Sequence, residues 1–241
     1  MRTWAFVQQK GGSGKSTTCT NLSVHAEEKG ETVLIVDLDP QSSATLWNHE
    51  RGSNKPMVID GQPEKLADIL KSAATLGVTL CMIDAPSKID ATALTAIRSA
   101  DMVISPTMPD LFNLGSLQDT VSLLEAADKL GATVAVINNV DEAGAAAKIG
   151  QAKAALESFN VLVCPVVIYH RPPFTAAIEK GKGVTELGAK ATKAAGEIRE
   201  LWTFLDKCAK ALGAVASHDA APTVASHKTK KAGKHRETAK S

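Results

Sequence analysis

Short runs of consecutive apolar residues recur along the chain and are separated by longer mixed segments. The runs lie at residues 3–7, 32–37, 78–84, 102–105, 133–138 and 161–167. Apolar runs without polar alternation are typical of strands that are buried on both faces of a parallel sheet. The segments between them predict helices at residues 14–29, 64–76, 90–100, 115–130 and 143–158. This order predicts an α/β fold, with a mostly parallel twisted sheet and helices on both faces.

The C-terminal part of the chain changes character at about Gly213. Residues 189–212 predict an amphipathic helix that packs on the body, because apolar residues share one face at Ile198, Leu201, Trp202, Leu205 and Leu212. Residues 213–241 are mainly Ala, Ser, Thr, His and Lys without apolar periodicity, and such a segment cannot bury enough surface to fold. The sequence therefore predicts one domain at residues 1–212 and a disordered basic tail at residues 213–241.

Composition is that of an ordinary globular protein, with 44% hydrophobic and 22% charged residues in 241. Residues 217–241 hold six basic and two acidic side chains, a net charge of +4, whereas the rest of the chain carries −3. The start lacks the pattern of a signal peptide and no run of 18 apolar residues occurs, so we expect a cytoplasmic protein without a membrane partner. The four cysteines form no C-x-x-C pair and are predicted to be reduced thiols in or near the core.

A glycine-rich segment, KGGSGKST at residues 10–17, lies where the first predicted strand meets the first predicted helix. Glycines let backbone N–H groups approach an anion, and the helix adds its own free N–H groups and the positive end of its dipole. Lys15 is expected to contact the β- and γ-phosphates of a nucleotide, and the Ser16 hydroxyl to ligate Mg²⁺. The sequence thus predicts a P-loop NTPase, and a solvated Gly/Ser-rich turn is the less favoured alternative. The predicted nucleotide-binding residues are Lys10, Gly11, Gly12, Ser13, Gly14, Lys15, Ser16 and Thr17.

This segment departs from the common pattern G-x-x-x-x-G-K-[ST] in one respect. Gln9 stands where that pattern has its first glycine, and a second lysine, Lys10, heads the loop.

Acidic residues follow two other predicted strands. Asp84 ends the run CMID and is expected to hold the magnesium shell opposite Ser16, although an Asp that caps the next turn is the alternative. The segment DLDPQ at residues 37–41 brings Asp37 and Asp39 to the same edge of the sheet. One of these two carboxylates could orient an attacking water, and a turn built around Asp-Pro is the alternative.

Taken together, several segments resemble a ParA-type partition ATPase of the deviant-Walker ParA/MinD group. They are the loop with Lys10 and Lys15, DLDPQ at 37–41, IDAP at 83–86, SPTMPDLFNLGSL at 105–117 and HRPPFTAAIEKGKGVTEL at 170–187. The resemblance covers about residues 2–205 and implies the short form, without an N-terminal helix-turn-helix domain. The segment APSK at residues 85–88 departs from relatives that have a second proline or a glycine there, so no γ-phosphate sensor is assigned.

The resemblance implies ATP and Mg²⁺ as cofactors and an ATP-dependent sandwich dimer in which Lys10 reaches the partner's nucleotide. Asp39 matches the acid on which hydrolysis depends, so Lys10, Lys15 and Asp39 are the expected catalytic residues. Ser16, Asp84 and Asp39 are the expected metal-site residues. Asn138 is expected beside the nucleotide: its segment NNVD resembles the guanine-reading N-K-x-D with Asn for Lys, and the resemblance favours adenine.

The resemblance also implies partners. The dimer is expected to coat nucleoid DNA without sequence preference, and a ParB-like centromere-binding protein or cargo adaptor is expected to stimulate hydrolysis. Candidate DNA contacts are Arg171, Lys180 and Lys182, with the basic tail as an auxiliary.

Two alternatives stay open. The first is a MinD-like or organelle-positioning ATPase, which is disfavoured as a membrane binder because hydrophilic residues follow the amphipathic helix. The second is a metabolic enzyme of the nitrogenase-iron-protein group, which would require cluster cysteines in loops, whereas Cys81 and Cys164 lie within predicted strands.

Overall fold

The structure is a computed structural model that describes residues 1–88, 90–109 and 111–219. Its strands form one sheet in the order β3-β2-β4-β1-β5-β6-β7, and every paired strand is parallel. The predicted parallel sheet is therefore confirmed. The strands are β1 (Arg2–Phe6), β2 (Val33–Asp37), β3 (Met57–Asp60), β4 (Leu80–Asp84), β5 (Met102–Thr107), β6 (Thr133–Ile137) and β7 (Leu162–Val163).

Helices cover both faces of this sheet, as the sequence predicts. Trp4 and Phe6 of β1 pack in one core with α1 (Lys15–Glu28) and α8 (Thr192–Asp219), whereas Ala5 of β1 and Val7 just after it pack in a second core with α3 (Leu66–Thr75) and α4 (Ala91–Ser99). A third core lies between α5 (Leu111–Ala126), α6 (Ala145–Ser158) and β6. The helices are α1 (Lys15–Glu28), α2 (Ser43–Arg51), α3 (Leu66–Thr75), α4 (Ala91–Ser99), α5 (Leu111–Ala126), α6 (Ala145–Ser158), α7 (Pro172–Ile178) and α8 (Thr192–Asp219).

The strand register brings the candidate site residues to one edge. Asp84 at the end of β4 lies opposite both Phe6 of β1 and Asp37 of β2. The glycine-rich loop continues directly from β1, and Asn138 follows β6. Since all these strands are parallel, their carboxyl ends meet where ligands gather in such sheets.

The long helix α8 packs as predicted, but its length differs. Its apolar face is buried against α1, and the ring centroids of Trp202 and Trp4 are 5.4 Å apart. The helix continues to Asp219, whereas the sequence placed its end at residue 212 and predicted disorder from 213. The described helix thus extends seven residues past its predicted end. The predicted tail beyond them lies outside the described residues.

Other differences concern short elements. The sequence did not predict α2, β3 or α7, and the strand predicted at 161–167 is reduced to Leu162–Val163. The cysteine prediction is confirmed, because Cys19, Cys81 and Cys164 are buried free thiols and Cys208 is half-buried and free. None of the helices in the described part of the chain has the length and apolarity that a bilayer crossing requires.

Candidate nucleotide-binding site

The glycine-rich loop turns from β1 into α1 through left-handed backbone. Gly12 and Gly14 have φ angles of 77° and 88°, a region that side chains with a β-carbon avoid. Helix α1 then begins at Lys15, so the free N–H groups of its first turn open toward the concave side of the loop. This is the geometry that binds phosphate groups.

Asn138 holds this loop from the neighbouring part of the sheet. Its side-chain nitrogen Nδ2 donates a 2.7 Å hydrogen bond to the carbonyl of Ser13, and its own N–H donates to the carbonyl of Thr107 at 2.9 Å. Asn138 is buried, and it lines a cavity beside the loop. Asn138 thus lies beside the glycine-rich loop and fixes its backbone.

Lys15 is buried at the bottom of the loop. Its Nζ donates a 2.7 Å hydrogen bond to Oγ of Ser87, in the segment that follows β4. Burial lowers the pKa of Lys15, and the charges of Asp84 and Asp39 oppose that shift. Ser87 lies in the segment that departs from relatives, and no signal in the sequence assigned it a role.

Asp84 is fully buried at the end of β4, and within the described part of the chain its carboxylate lacks the hydrogen bonds that a buried charge normally makes. Neither of its carboxylate oxygens has a hydrogen-bond partner of standard geometry within residues that the structure describes. Burial raises the pKa of Asp84 to about 7; the neighbouring Ser16 hydroxyl and Lys15 ammonium oppose the shift, and the charge of Asp37 adds to it. A buried carboxylate beside a serine hydroxyl is a donor set that fits Mg²⁺, which takes few protein oxygens and keeps several waters.

The two acids after β2 have different surroundings. Oδ2 of Asp37 accepts hydrogen bonds from the N–H and the hydroxyl of Thr45, at 2.9 and 3.0 Å, and so caps the first turn of α2. Asp39 is half-buried, accepts a bond from the N–H of Gln41 at 3.0 Å, and lines a cavity together with Lys15 and Ser16. Of the two carboxylates, Asp39 is therefore the one that lines the cavity with Lys15 and Ser16.

Two adjoining cavities make up the site. The one lined by Lys15, Ser16 and Asp39 has a volume of about 390 Å³, and the one lined by Asn138 has about 320 Å³. They share Gly12, Gly14, Thr17 and Ile178 as lining residues. The second cavity is also lined by Tyr169 and Phe174, so the pair provides a polar end for phosphates and an aromatic end for a base.

Comparisons with known proteins agree with this geometry. Residues 4–184 match the model of the CobQ/CobB/MinD/ParA nucleotide binding domain family. The chain belongs to this family. As a ParA/MinD-type protein it is a nucleotide-binding ATPase, and the resemblance drawn from its motifs is confirmed.

Three relatives are similar over different lengths. The Maintenance of carboxysome distribution protein A of Gloeobacter kilaueensis is 38% identical over 50% of this chain and 55% of its own length. The protein of the same name from Halothiobacillus neapolitanus is 25% identical over 83% of this chain and 94% of its own. The chromosome-partitioning ATPase Soj of Thermus thermophilus is 28% identical over 52% of this chain and 62% of its own. The matched region is thus about half of the first relative and nearly all of the second.

Among solved structures, a chain of the MinC:MinD cell division protein complex of Aquifex aeolicus has a TM-score of 0.70. It is 15% identical, and the match covers 89% of this chain and 96% of that one. At this identity the likeness shows the fold alone, which is that of the ParA/MinD P-loop NTPases.

Of the remaining candidates of this ParA/MinD-type chain, Lys10, Lys180 and Lys182 line neither cavity, whereas Arg171 lines the cavity that contains Asn138. Lys10 is half-buried at the head of the loop and lines neither cavity. Lys180 and Lys182 are exposed beyond α7.

Arg171 differs from these two lysines. Its Nη1 lies 2.8 Å from the carboxylate of Glu142, and its Nε donates to that of Glu197 at 2.7 Å. Its side chain is only 15% exposed. Because both carboxylates are already bound to it, the structure argues against the expected DNA contact at Arg171.

Proposed function

We propose that the chain is a ParA-type positioning ATPase that binds ATP with Mg²⁺, dimerises, and in that state binds DNA without sequence preference. The observation that carries this proposal is that Lys15, Ser16 and Asp39 line one cavity at the carboxyl edge of the sheet, with the buried carboxylate of Asp84 next to Ser16 and Lys15. This is the arrangement that phosphoryl transfer to water requires: phosphate ligands, a metal site and a group that orients water.

Each residue has a role in this scheme. Lys15 exchanges its hydrogen bond to Ser87 for a charge-assisted contact with the phosphates. Ser16 and Asp84 would hold Mg²⁺, which would neutralise charge on the phosphate oxygens, and Asp39 is a further candidate ligand. Asp39 orients the attacking water, because it is the carboxylate of the DLDPQ segment that lines the cavity.

Lys10 acts across a dimer interface. It lines neither cavity of its own protomer, although it lies at the head of the loop that lines both. We assign it to the partner's nucleotide, where its charge would stabilise the transition state in trans, as an arginine finger does.

DNA binding is assigned to Lys180 and Lys182, which are exposed and follow Ile178 and Glu179, two residues that line the cavity containing Asn138. Each phosphate that is neutralised contributes counterion release, so a dimer with twice the lysines binds far more tightly than one protomer. Such a surface contacts phosphates and not base edges, so it binds DNA of any sequence. The protein would therefore associate with the nucleoid.

The cargo is either DNA bound by a ParB-like centromere-binding protein or a protein body bound through an adaptor. The relative Soj is a chromosome-partitioning ATPase and supports the first. Two relatives are named for carboxysome distribution, and they support the second. A metabolic role of the nitrogenase-iron-protein type receives no support from the cysteines, since Cys81 and Cys164 are fully buried within the sheet region.

The test is a fluorescence anisotropy titration of two unrelated DNA duplexes with ATP, with ADP and without nucleotide, at two salt concentrations. We expect tight binding only with ATP and much weaker binding with ADP or without nucleotide, with equal affinity for both duplexes and a steep loss at the higher salt. Tight binding without nucleotide, or none with ATP at low salt, would overturn the DNA-carrier function. Phosphate release measured with and without DNA completes the test of ATP turnover.

A further inference from the structure

The exposed lysines assigned to DNA belong to one short segment, residues 179–187, which we call the lysine loop. Helix α1 forms two hydrogen bonds with this loop. The N–H of Val184 donates to Oδ1 of Asn21 at 2.7 Å, and the hydroxyl of Thr185 donates to Oε1 of Glu28 at 2.7 Å. The position of the lysines therefore depends on the elements under the loop.

The C-terminal end of α2 forms hydrogen bonds with the same loop. Nη1 and Nη2 of Arg51 bind the two carboxylate oxygens of Glu186 at 2.9 and 3.0 Å, and Nη1 also donates to the carbonyl of Gly181 at 2.9 Å. Nε1 of Trp47 donates to the carbonyl of Lys182 at 3.1 Å. A β-carbon on Gly181 would lie 2.1 Å from the backbone nitrogen of Arg51, so the loop rests directly on the end of the helix.

The other end of α2 lies at the nucleotide cavity. Its first turn is capped by Asp37, and Asp39, Gln41 and Ser43 line the cavity that contains Lys15. The helix has nine residues, which corresponds to a length of about 14 Å. A single short helix therefore joins the acid assigned to hydrolysis with the lysines assigned to DNA.

We propose that α2 couples the nucleotide state to the lysine loop, and that Arg51 and Glu186 are positioning residues that set the ATP dependence of DNA binding. The inference rests on the proposed function. A short helix moves as a rigid body, so a shift at residues 39–43 reaches its C-terminal end. The bidentate pair of Arg51 and Glu186 fixes both the distance and the orientation between the end of α2 and the lysine loop. The pair therefore transmits that shift to the loop.

The test compares three variants in DNA titrations of the full chain with ATP and with ADP. Arg51→Lys keeps the charge but loses the fork geometry, and Glu186→Gln keeps the shape but loses the charge. Arg2→Lys is the matched control, because Arg2 also binds two carboxylates, those of Glu31 and Asp206, away from the nucleotide site. We expect the ratio of DNA affinity with ATP to that with ADP to fall about fivefold or more in the first two variants. The control should keep the parent ratio.

Other measurements separate coupling from damage. The affinity for a fluorescent ATP analogue and the melting temperature should stay close to the parent values. If Arg51→Lys does not fold, the affinity ratio of Glu186→Gln tests the coupling instead. An unchanged ratio in a folded variant, or equal loss of affinity with ATP and ADP, would overturn the coupling and leave the proposed function standing. If the parent protein itself does not bind DNA with ATP, the proposed function fails and the coupling fails with it.

Discussion

Gly14 and Asn138 lie so close together that a β-carbon on the glycine would be 2.2 Å from Nδ2 of the asparagine. The same Nδ2 donates to the carbonyl of Ser13, and Gly14 has a φ of 88°. Any other residue at this position would meet both a steric clash and an unfavourable backbone conformation. The glycine in the loop and the asparagine after β6 thus form one unit, although they are far apart in the sequence.

The first prediction follows from this contact. Gly14→Ala should weaken ATP binding about tenfold or more, because the loop must shift away from Asn138 and its N–H groups lose their alignment. The measurement is a titration with a fluorescent ATP analogue. Gly150→Ala is the control, since an added β-carbon there meets nothing within 4 Å. Equal affinity in Gly14→Ala and the parent would contradict the loop geometry.

The second prediction concerns Lys15. Lys15→Ala should abolish both ATP binding and phosphate release, because a buried charge-assisted contact to the phosphates is lost. Calorimetric titration with ATP and a phosphate-release assay check this result. Lys71→Ala, an exposed lysine on α3, is the matched control. Turnover that survives in Lys15→Ala would remove the basis of the P-loop assignment.

Sequence alone predicted the parts of the site that lie at the ends of buried strands. Asp84 and Asn138 follow continuous apolar runs, whose parallel arrangement brings their ends to one edge, so their positions could be inferred from pattern. β3 was missed although Met57, Val58 and Ile59 form a short apolar run, because Pro56 and Gly61 flank the run and indicate a loop; the structure shows a short edge strand of exposed or half-buried residues. Helix α7 was missed because it opens with two prolines, which are permitted in a first turn but indicate a loop in isolation.

Side-chain partners were the other part that sequence could not predict. The pattern treated Asp37 and Asp39 alike, and only the fold shows that Thr45 binds Asp37 while Asp39 faces the cavity. The pattern also grouped Arg171 with nearby lysines. Its partners Glu142 and Glu197 lie 29 and 26 residues away, so no local signal could reveal them.

The third prediction concerns Asp84 and pH. Its pKa is raised from 3.8 to about 7 in the folded protein, so the proton is bound more tightly when the chain is folded. Protonation of Asp84 therefore contributes fully to the free energy of unfolding below the pKa that Asp84 has in the unfolded chain. This contribution is lost as the pH rises from there through about 7. The loss amounts to at most about 4 kcal/mol, from a shift of about three pKa units.

Asp84→Asn removes this titration without changing the size of the side chain. Between about pH 4 and 7, the interval between the unfolded and folded pKa values of Asp84, the nucleotide-free parent should lose unfolding free energy relative to Asp84→Asn, as measured by urea denaturation at several pH values. Mg²⁺ with ATP should restabilise the parent above pH 7 but not the variant, because a metal ligand must be deprotonated. A pH-independent difference between the two proteins would contradict the burial of an ionisable carboxylate at this position.

The fourth prediction separates the two acids after β2. Asp39→Ala should bind ATP and dimerise but hydrolyse at least about a hundredfold more slowly, since it removes a group that orients water and leaves the phosphate ligands in place. Asp37→Ala should instead lower the melting temperature, because the first turn of α2 loses its cap. Size-exclusion chromatography with ATP, phosphate release and thermal unfolding provide the measurements. Failure of Asp39→Ala to dimerise where the parent does would show that its role is wrongly assigned.

The last prediction separates cations that contact DNA from a cation that supports the fold. The ammonium groups of Lys180 and Lys182 are exposed, so each one replaced by Ala should remove about one phosphate contact per protomer. The slope of log affinity against log salt should therefore become shallower by about 0.9 for each contact, equally on unrelated duplexes. Arg171→Ala should leave the slope unchanged but lower the melting temperature, because Glu197 loses its partner while it is still largely buried. Lys71→Ala is again the control. A shallower slope in Arg171→Ala at unchanged stability would restore Arg171 as a DNA contact and would mean that its bonds to Glu142 and Glu197 open when DNA binds.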